Sequence, residues 1–410
     1  MAEVLGFDFG TSNTAVAYFD GEQVRPIELE PARSTIPTAV FFDEAEAGMV
    51  IGSAANTSLT TGLDGRYMRS LKSVLGTSLM PEARHIHGRK TDFYEIISDF
   101  IAIVKARSEQ QSGKAFAAVN AGRPVYFHKE GSEREEQAEN DLRQCFRMAG
   151  FDTVNFILEP EAAALHSIRK FKEDATGLIV DIGGGTSDFT VFRYQNGSID
   201  ILSSYGLRLG GTDFDRLISF DHIMPCLGRG QKLKRTMAAG HIDAPNHVFA
   251  DLSTWEKIPF LYEPKTLRLV RSLLRDAVEP VYFRRLLHTL EDRLGHDIAF
   301  QAEDAKINFN RNPDALSIDL NIIEAGLTET LPPEKVLHRF AGFGETLQAA
   351  IKRTIKIAGT TPDEIDVVIP VGGSSAMQFV KQAIDAAVPK AELREELVFT
   401  SIAGGLAVER

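Results

Sequence analysis

The sequence predicts an α/β protein built from two related lobes, and three observations support this prediction. A strand, a glycine-rich turn and a second strand occur together twice, at 6–19 and at 178–192. Around these two segments, strand-like and helix-like hydrophobic patterns alternate, as an α/β architecture requires. The chain has 410 residues, of which 43% are hydrophobic and 25% charged, so it can bury more than one core.

The first half of the chain opens with the first copy of the repeat, GFDFGTSNTAVAYF, whose leading strand covers 4–9. From Phe93 onward, apolar residues recur at helical spacing, which predicts an amphipathic helix. A strand and loop are predicted at 118–127. A helix follows at 133–149, and Gly150 is placed to end it in the left-handed conformation.

The second half contains the second copy of the repeat, LIVDIGGGTSDFTVF. Just before this copy, Glu-Pro-Glu at 159–161 opens an alanine-rich helix with proline in its first turn. Helical periodicity dominates 252–308, where Pro264 and Pro280 mark helix starts. A buried strand at 366–371 runs into a glycine pair. No long linker separates these segments, so we expect tightly joined lobes.

Composition excludes several classes of protein. The 57 acidic and 45 basic residues give a net charge of −12, which disfavours nucleic-acid binding because a polyanion would be repelled. No apolar run reaches the roughly 18–20 residues that a membrane helix needs, and no leader precedes the first strand. We therefore expect a soluble cytoplasmic protein without membrane contact. Cys145 and Cys226 fit no disulfide or metal pattern and are expected to be half-buried thiols.

The repeated turn has a chemistry of its own. Glycine frees successive backbone N–H groups to surround an anion, and small hydroxyl side chains add donors. Asp8 and Asp181 end the two leading strands, and two facing carboxylates can hold a hydrated Mg²⁺. One such turn is a weak signal, but two with the same order of Asp, Gly, Thr and Ser indicate a nucleotide held between two lobes. Neither a GxxxxGK[ST] loop nor a GxGxxG loop is present.

Several separated blocks together resemble one known family. GFDFGTSNTAV, RSLKSVLG, ILEPEAAAL, VDIGGGTSDFTVF with LGGTDFD, AEDAKINF and VIPVGGSSAM occur in this order. This series resembles the nucleotide-binding domain of the seventy-kilodalton heat-shock chaperones, a branch of the actin-like ATPase superfamily. The resemblance implies the actin-like ATPase fold, with two ribonuclease H-like lobes, a subdomain on each, and a nucleotide cleft between them.

The resemblance also implies domain limits. Lobe I would cover 1–172 with a subdomain at about 38–115. Lobe II would cover 173–410, with an enlarged helical lid at about 212–325 and a C-terminal helix that crosses back to lobe I. The lid is locally basic and rich in histidine, so it is the surface where we expect a polypeptide client or cochaperone.

The family's site residues carry over to matching positions. Lys72 would orient the attacking water and stabilise charge on the γ-phosphate, Glu159 would position metal and water, and Asp8 and Asp181 would hold Mg²⁺ through water. The resemblance thus implies the catalytic residues Lys72, Glu159, Asp181, Thr186 and Asp8. It implies contacts to ATP or ADP from Gly10, Thr11, Ser12, Asn13, Gly183, Gly184, Gly185, Thr186, Gly210, Gly211, Glu303, Lys306, Ile307, Gly372, Gly373 and Ser374.

The sequence departs from the family around the base. The family stacks two arginines on adenine, and their positions are Ile307 and Ala376 here, whereas Glu303 and Lys306 remain available to the ribose. Loss of two cation–π contacts predicts weaker ATP binding and relaxed base choice. For Lys72, the alternative interpretation is a lysine on the solvated face of a helix, without a catalytic role.

The resemblance implies a monomeric chaperone-type ATPase that hydrolyses ATP slowly to drive lobe opening and closing. The chain ends at Arg410, soon after the last block, so a short member without a peptide-binding domain is expected. Three alternatives stay open. One is a sugar-type kinase, whose general base would lie near Asp188 or Asp213, although no sugar-kinase signature surrounds either. The others are an actin-like filament protein and a nucleotide-binding scaffold that does not hydrolyse.

Overall fold

A computed structural model describes residues 3–45, 48–86, 89–128, 132–168, 174–235, 240–312, 317–394 and 401–408. The chain is a mixed α/β protein, which confirms the predicted fold class. Its contacts divide it into two compact units. The first unit comprises Met1–Leu209, Leu347–Ala376 and Val380–Arg410, and the second comprises Gly210–Thr346 and Met377–Phe379. The predicted boundary between residues 172 and 173 lies outside the described residues, so the lobe limits stay predictions.

The regular elements of the described residues are as follows. The strands are β1 (Glu3–Phe9), β2 (Asn13–Phe19), β3 (Val24–Pro26), β4 (Thr35–Pro37), β5 (Ala39–Asp43), β6 (Met49–Ile51), β7 (Gly65–Arg69), β8 (Arg84–Ile86), β9 (Arg89–Thr91), β10 (Phe116–Arg123), β11 (Thr153–Leu158), β12 (Ala175–Ile182), β13 (Ser187–Gln195), β14 (Ser198–Leu207), β15 (Lys232–Lys234), β16 (His241–Asp243), β17 (Ser317–Asp319), β18 (Thr328–Thr330), β19 (Val367–Val371) and β20 (Glu392–Leu393). The helices are α1 (Ser53–Thr60), α2 (Phe93–Ser112), α3 (Glu133–Met148), α4 (Glu159–Ile168), α5 (Gly211–Ile218), α6 (Met224–Cys226), α7 (Asn246–Leu252), α8 (Pro264–Asp276), α9 (Pro280–Glu291), α10 (Gly295–Arg311), α11 (Pro333–Ile357), α12 (Gln378–Ala387) and α13 (Ser401–Val408). Short 3₁₀ helices lie at Leu71–Val74, Trp255–Tyr262, Pro362–Glu364 and Gly373–Ala376, and a π-helical turn lies at Ser219–Ile223.

The first sheet contains the first copy of the repeat. Its strand order is β11-β10-β1-β2-β3, with β4 beside β2. β1 is antiparallel to β2, with Asp8 opposite Ala15, and parallel to β10. Phe7 and Phe9 are buried, and their rings contact Phe146 of α3 and Phe100 of α2 respectively. The two helices therefore cover this sheet and form its core.

The second sheet contains the second copy. Its strand order is β14-β13-β12-β19-β20. β12 is antiparallel to β13, with Asp181 opposite Asp188, and parallel to β19. Each copy is thus an antiparallel hairpin whose first strand also has a parallel neighbour. This equivalence confirms the repeat that the sequence predicts.

Local signals placed several helix ends correctly. α3 ends at Met148, and Gly150 follows with a φ of 87°, which confirms its predicted role. α4 begins with Glu159 and Pro160, and α8 and α9 begin at the two prolines expected to start helices. Proline suits the first turn because its missing N–H would have no helical partner there.

Glycines bring α13 close to its neighbours in the first unit. A Cβ on Gly405 would lie 1.8 Å from the carbonyl oxygen of Ala162 in α4, and a Cβ on Gly6 of β1 would lie 2.5 Å from the backbone nitrogen of Ala407. Asn120 of β10 also donates from Nδ2 to the carbonyl oxygen of Leu406 at 2.9 Å. α13 is therefore fixed by close backbone contact with both the first sheet and α4.

The second unit is mainly helical among its described residues. Phe214 of α5 contacts Phe340 and Phe343 of α11, together with Phe379, and forms an aromatic core.

None of the helices described for this chain has the length and apolar character needed to span a bilayer. Both cysteines are buried rather than half-buried, and burial raises the pKa of each thiol to about 12.

Candidate functional site

The first bend, between β1 and β2, is shaped by close backbone packing. A Cβ on Gly10 would lie 2.2 Å from the carbonyl oxygen of Asn13, so only glycine fits there. Thr38 supports the bend, because its N–H donates to the Ser12 carbonyl and its hydroxyl to the Gly10 carbonyl, both at 2.8 Å. A Cβ on Gly184 of the second bend would lie 2.0 Å from Ser12 Oγ. The two bends therefore face each other closely.

The second bend lies between β12 and β13. The N–H of Gly183 donates to the Thr186 carbonyl at 2.9 Å and closes it. Gly185 and Thr186 are exposed, and a Cβ on Gly185 would meet nothing within 4 Å. This bend thus presents backbone to open space at Gly185, as an anion cradle would require, and the Thr186 side chain hydrogen-bonds Asp188.

A third turn meets the same strand end. Gly372 has a φ of 78°, and a Cβ on it would lie 2.5 Å from the Ile182 carbonyl and 2.9 Å from Asp181 Oδ1. Gly373 and Ser374 begin the short helix that follows. The predicted GGS turn therefore packs against the carboxylate that ends β12.

Lys72 and Glu159 form a buried ion pair. Lys72 lies in the 3₁₀ turn at Leu71–Val74, and Glu159 is the first residue of α4. Each is only 9% exposed, and Lys72 Nζ donates directly to Glu159 Oε1. The interpretation of Lys72 as a solvated helix lysine is therefore wrong, because this lysine lies neither in an α-helix nor in solvent.

Four carboxylates surround this one ammonium group. We call Lys72, Glu159, Asp8, Asp181 and Asp188 the charged cluster. Burial and the charge of Glu159 raise the pKa of Asp8 to about 7, although Lys72 acts in the opposite direction. Burial and the neighbouring carboxylates raise the pKa of Asp181 well above its usual range, and burial raises that of Asp188 to about 6. Burial lowers the pKa of Lys72, but the surrounding negative charges outweigh it and raise the pKa overall.

The charged cluster suits a bound cation. With its carboxylates ionised it would hold more negative than positive charge, and a divalent ion would offset the surplus. Among the described residues, no three His, Cys, Asp or Glu side chains are grouped to ligate a metal directly. Contact through water, as predicted for Asp8 and Asp181, is compatible with this arrangement.

A pocket opens beside the charged cluster, with an empty volume of about 340 Å³ that includes open solvent. Asp181, Asp188 and Glu159 give it an acidic wall, and Val371 and Ile402 give it an apolar one. Sequence reasoning named Asp188 only as a base for an alternative kinase. Asp188 lies opposite Asp181 in the hairpin, and counting outward from the glycine turn in the sequence would have predicted this pairing.

Five predicted nucleotide contacts lie in the second unit, namely Gly210, Gly211, Glu303, Lys306 and Ile307. Gly210 and Gly211 start α5, where the Gly210 N–H donates to Asp213 Oδ2 at 3.0 Å. Lys306 of α10 is buried, and its Nζ lies 2.8 Å from Asp215 Oδ1. The sequence did not indicate Asp215, because its partner is remote in the chain.

Two further residues on α10 point to its accessible face. Glu303 is half-buried and Ile307 is 40% exposed. Ile307 is therefore available for contact, as an apolar wall for a base would need to be. The structure thus groups the predicted phosphate and metal residues in the first unit and these predicted nucleoside residues in the second.

Comparison with known families agrees with this geometry. A family model described as Hsp70 protein matches residues 4–238, more than half of the chain. The match covers both bends, Lys72 and Glu159, whereas Glu303 to Ile307 lie beyond it. The chain therefore belongs to the Hsp70 family, whose members are ATP-binding chaperones.

Proposed function

We propose that this protein binds ATP with Mg²⁺ at the two glycine bends and hydrolyses it slowly to ADP and phosphate. The observation that supports this function most is the buried Lys72–Glu159 pair beside two aspartates that end equivalent strands. Phosphoryl transfer needs in-line positioning and charge stabilisation more than covalent chemistry, and the Lys72 ammonium group would supply charge stabilisation.

The two bends and the charged cluster of the first unit each have a role in this proposal. The bends at Gly10–Asn13 and Gly183–Thr186 hold the phosphate oxygens through backbone N–H and hydroxyl groups. Lys72 supplies positive charge where negative charge develops on the γ-phosphate, and Glu159 holds the ammonium group in place. Asp8 and Asp181 would hold Mg²⁺ through water, and the ion would supply positive charge that offsets the surplus negative charge there.

The nucleoside end is proposed to be weaker than is usual in the family. Glu303 and Lys306 would hydrogen-bond the ribose, and Ile307 would pack on the base. Without arginines at Ile307 and Ala376, two cation–π contacts of roughly 0.5–2 kcal/mol each are missing. We expect ATP affinity about fivefold to a thousandfold lower as a result.

The output of the cycle is proposed to be a change of conformation. ATP and ADP would favour different angles between the two lobes, and a polypeptide client or cochaperone would respond to the difference through the helical part at about 212–325. This role fits the chaperone family. A pull-down carried out in ATP and in ADP would test it, with partners retained in only one nucleotide state as the expected result.

The test of the enzymatic proposal is phosphate release from ATP by the purified protein. We expect slow hydrolysis that needs Mg²⁺ and no added acceptor. Gly10→Ala should lose most ATP binding, because its Cβ would meet the Asn13 carbonyl at 2.2 Å, whereas Gly48→Ala should behave as wild type, because nothing lies within 4 Å there.

Other outcomes would contradict the proposal. Transfer of phosphate only in the presence of a small hydroxyl acceptor would indicate a kinase. ATP-dependent light scattering would indicate a filament protein. Nucleotide binding without phosphate release in a single turnover would indicate a scaffold.

A further inference from the structure

The peptide group between Leu75 and Gly76, three residues after Lys72, is held at both of its polar atoms by side chains. The Gly76 N–H donates to Asp141 Oδ2 at 2.8 Å. At the other end, His128 Nε2 lies 2.7 Å from the Leu75 carbonyl oxygen. A carbonyl only accepts, so Nε2 is the protonated nitrogen that donates here. We call this arrangement the peptide clamp.

Asp141 is itself rigidly held. It lies in α3 and is 1% exposed. It also accepts from the Tyr94 phenol and from Gln137 Nε2, the latter at 2.6 Å. Burial and the bond to Asp141 hold the pKa of Tyr94 above its usual range, so the phenol stays a neutral donor. A buried carboxylate that accepts three hydrogen bonds has little freedom to move.

The clamp also depends on glycine. Gly76 has a φ of 71°, and a Cβ on it would lie 2.3 Å from the Arg134 carbonyl and 2.9 Å from His128 Nε2. α3 therefore approaches this peptide more closely than any side chain would allow. On the other side, the His128 N–H donates to Glu135 Oε2 at 2.8 Å, which ties the histidine to α3 as well.

The clamp is connected to Lys72 through the 3₁₀ turn. The Leu75 N–H donates to the Lys72 carbonyl at 3.4 Å. Before the turn, Ser70 adopts a left-handed conformation with a φ of 58°. The turn is short, so a shift of the clamped peptide moves the backbone of Lys72 and changes where its ammonium group lies relative to Glu159.

We propose that Asp141 is a positioning residue, which together with His128 fixes the Lys72 segment so that the ammonium group is aimed at Glu159 and the phosphate site. The part that concerns phosphate rests on the proposed function. Asp141 acts through the Leu75–Gly76 peptide and does not itself contact nucleotide in this scheme.

Single-turnover hydrolysis by Asp141→Asn tests the effect on rate. The replacement keeps the shape of the side chain but has one acceptor oxygen where aspartate has two, so the Gly76 N–H and the donors of Tyr94 and Gln137 can no longer all be accepted. We expect the rate to fall roughly 10- to 100-fold, because a misplacement of about 1 Å can cost that much. The Kd for ATP should stay within about twofold. The matched control is Glu109→Gln. Its carboxylate accepts the Phe116 N–H at 3.0 Å at the N-terminal end of β10, whereas His128 of the clamp follows the C-terminal end of this strand.

A second readout does not depend on hydrolysis. The ¹⁵Nζ signal of the Lys72 ammonium group, assigned by its loss in Lys72→Ala, should shift or broaden in Asp141→Asn but not in Glu109→Gln. If wild type fails to hydrolyse ATP, the proposed function fails while this readout still tests the clamp. A Lys72 signal that matches wild type in both Asp141→Asn and His128→Ala overturns the proposal, whatever the rates.

His128→Ala provides the second variant if Asp141→Asn does not fold. It removes the donor to the Leu75 carbonyl and leaves the Asp141 bonds in place. We expect a smaller fall in rate, roughly 3- to 10-fold, with the same shift of the Lys72 signal. An unchanged signal in this variant would also count against the clamp.

Discussion

Two buried lysines, one in each compact unit, differ in the charges around them. Lys72 pairs with Glu159 and has three further carboxylates nearby, and the charges of Glu159, Asp8 and Asp181 raise its pKa despite burial. Lys306 pairs with Asp215 and joins α10 to α5. The side chains around Lys72 carry more negative than positive charge when ionised, which favours binding of a cation. Lys306 and Asp215 instead form a pair of equal and opposite charges between two helices. Under the proposed function the first lysine serves chemistry, whereas the second joins two helices in addition to its proposed contact with the ribose.

The largest expected effect is that of Lys72→Ala on hydrolysis. Loss of one charge-stabilising group should lower the single-turnover rate roughly 10²–10³-fold while nucleotide still binds. The control is Lys390→Ala, which removes an exposed lysine paired with Asp363. An unchanged rate in Lys72→Ala would remove the distinction between the two lysines.

Lys306→Met should act first on stability. It leaves Asp215, a largely buried carboxylate, without its cation, and we expect the free energy of unfolding to fall by about 1–3 kcal/mol. Urea unfolding measures this, and a double-mutant cycle with Asp215→Asn isolates the pair. The rate for bound ATP should fall less than in Lys72→Ala, and an equal fall would show that both lysines serve chemistry.

Ile307→Arg should strengthen nucleotide binding. If Ile307 packs on the base, an arginine there adds a cation–π contact of roughly 0.5–2 kcal/mol, or about a 2- to 30-fold gain in affinity for ATP. Isothermal titration measures it. Asn308→Arg, at the exposed neighbouring position, adds the same charge and should have little effect. Equal gains in both variants would indicate general electrostatic attraction instead of base contact.

The smallest effect concerns an isolated carboxylate of the second unit. Burial raises the pKa of Asp297 from 3.8 to about 6. Because the folded state holds this proton more tightly, the associated stability is present below about pH 4 and is lost as the pH rises through 6. Asp297→Asn should therefore be more stable than wild type at pH 7, by at most about 1 kcal/mol since the group is partly solvated.

Thermal unfolding between pH 4 and 7 measures this difference. The exposed Asp243→Asn, which loses only a surface ion pair with Lys232, should follow wild type within about 0.5 kcal/mol. A constant difference between Asp297→Asn and wild type across this range would contradict the prediction.

The sequence predicted those features that depend on neighbouring residues. Both hairpins, the helix starts at Pro264 and Pro280 and the stop at Gly150 follow from local conformational preferences, and the structure has all of them. The family was also recognisable from short motifs. Motifs indicated candidate site residues such as Asp8, whose role stays a prediction. The charge balance around them could not be predicted, because pKa shifts depend on burial and on neighbours distant in the chain.

The sequence by itself determined the two glycine bends and the carboxylates beside them, since backbone freedom and strand periodicity are local properties. Only the tertiary structure decided that Lys72 meets Glu159, 87 residues away, and that Asp215 faces Lys306. It also placed Asp141 against the Gly76 N–H, 65 residues away. These pairings arise from helix and sheet packing, which brings distant side chains out of water together and so sets both their geometry and their charge.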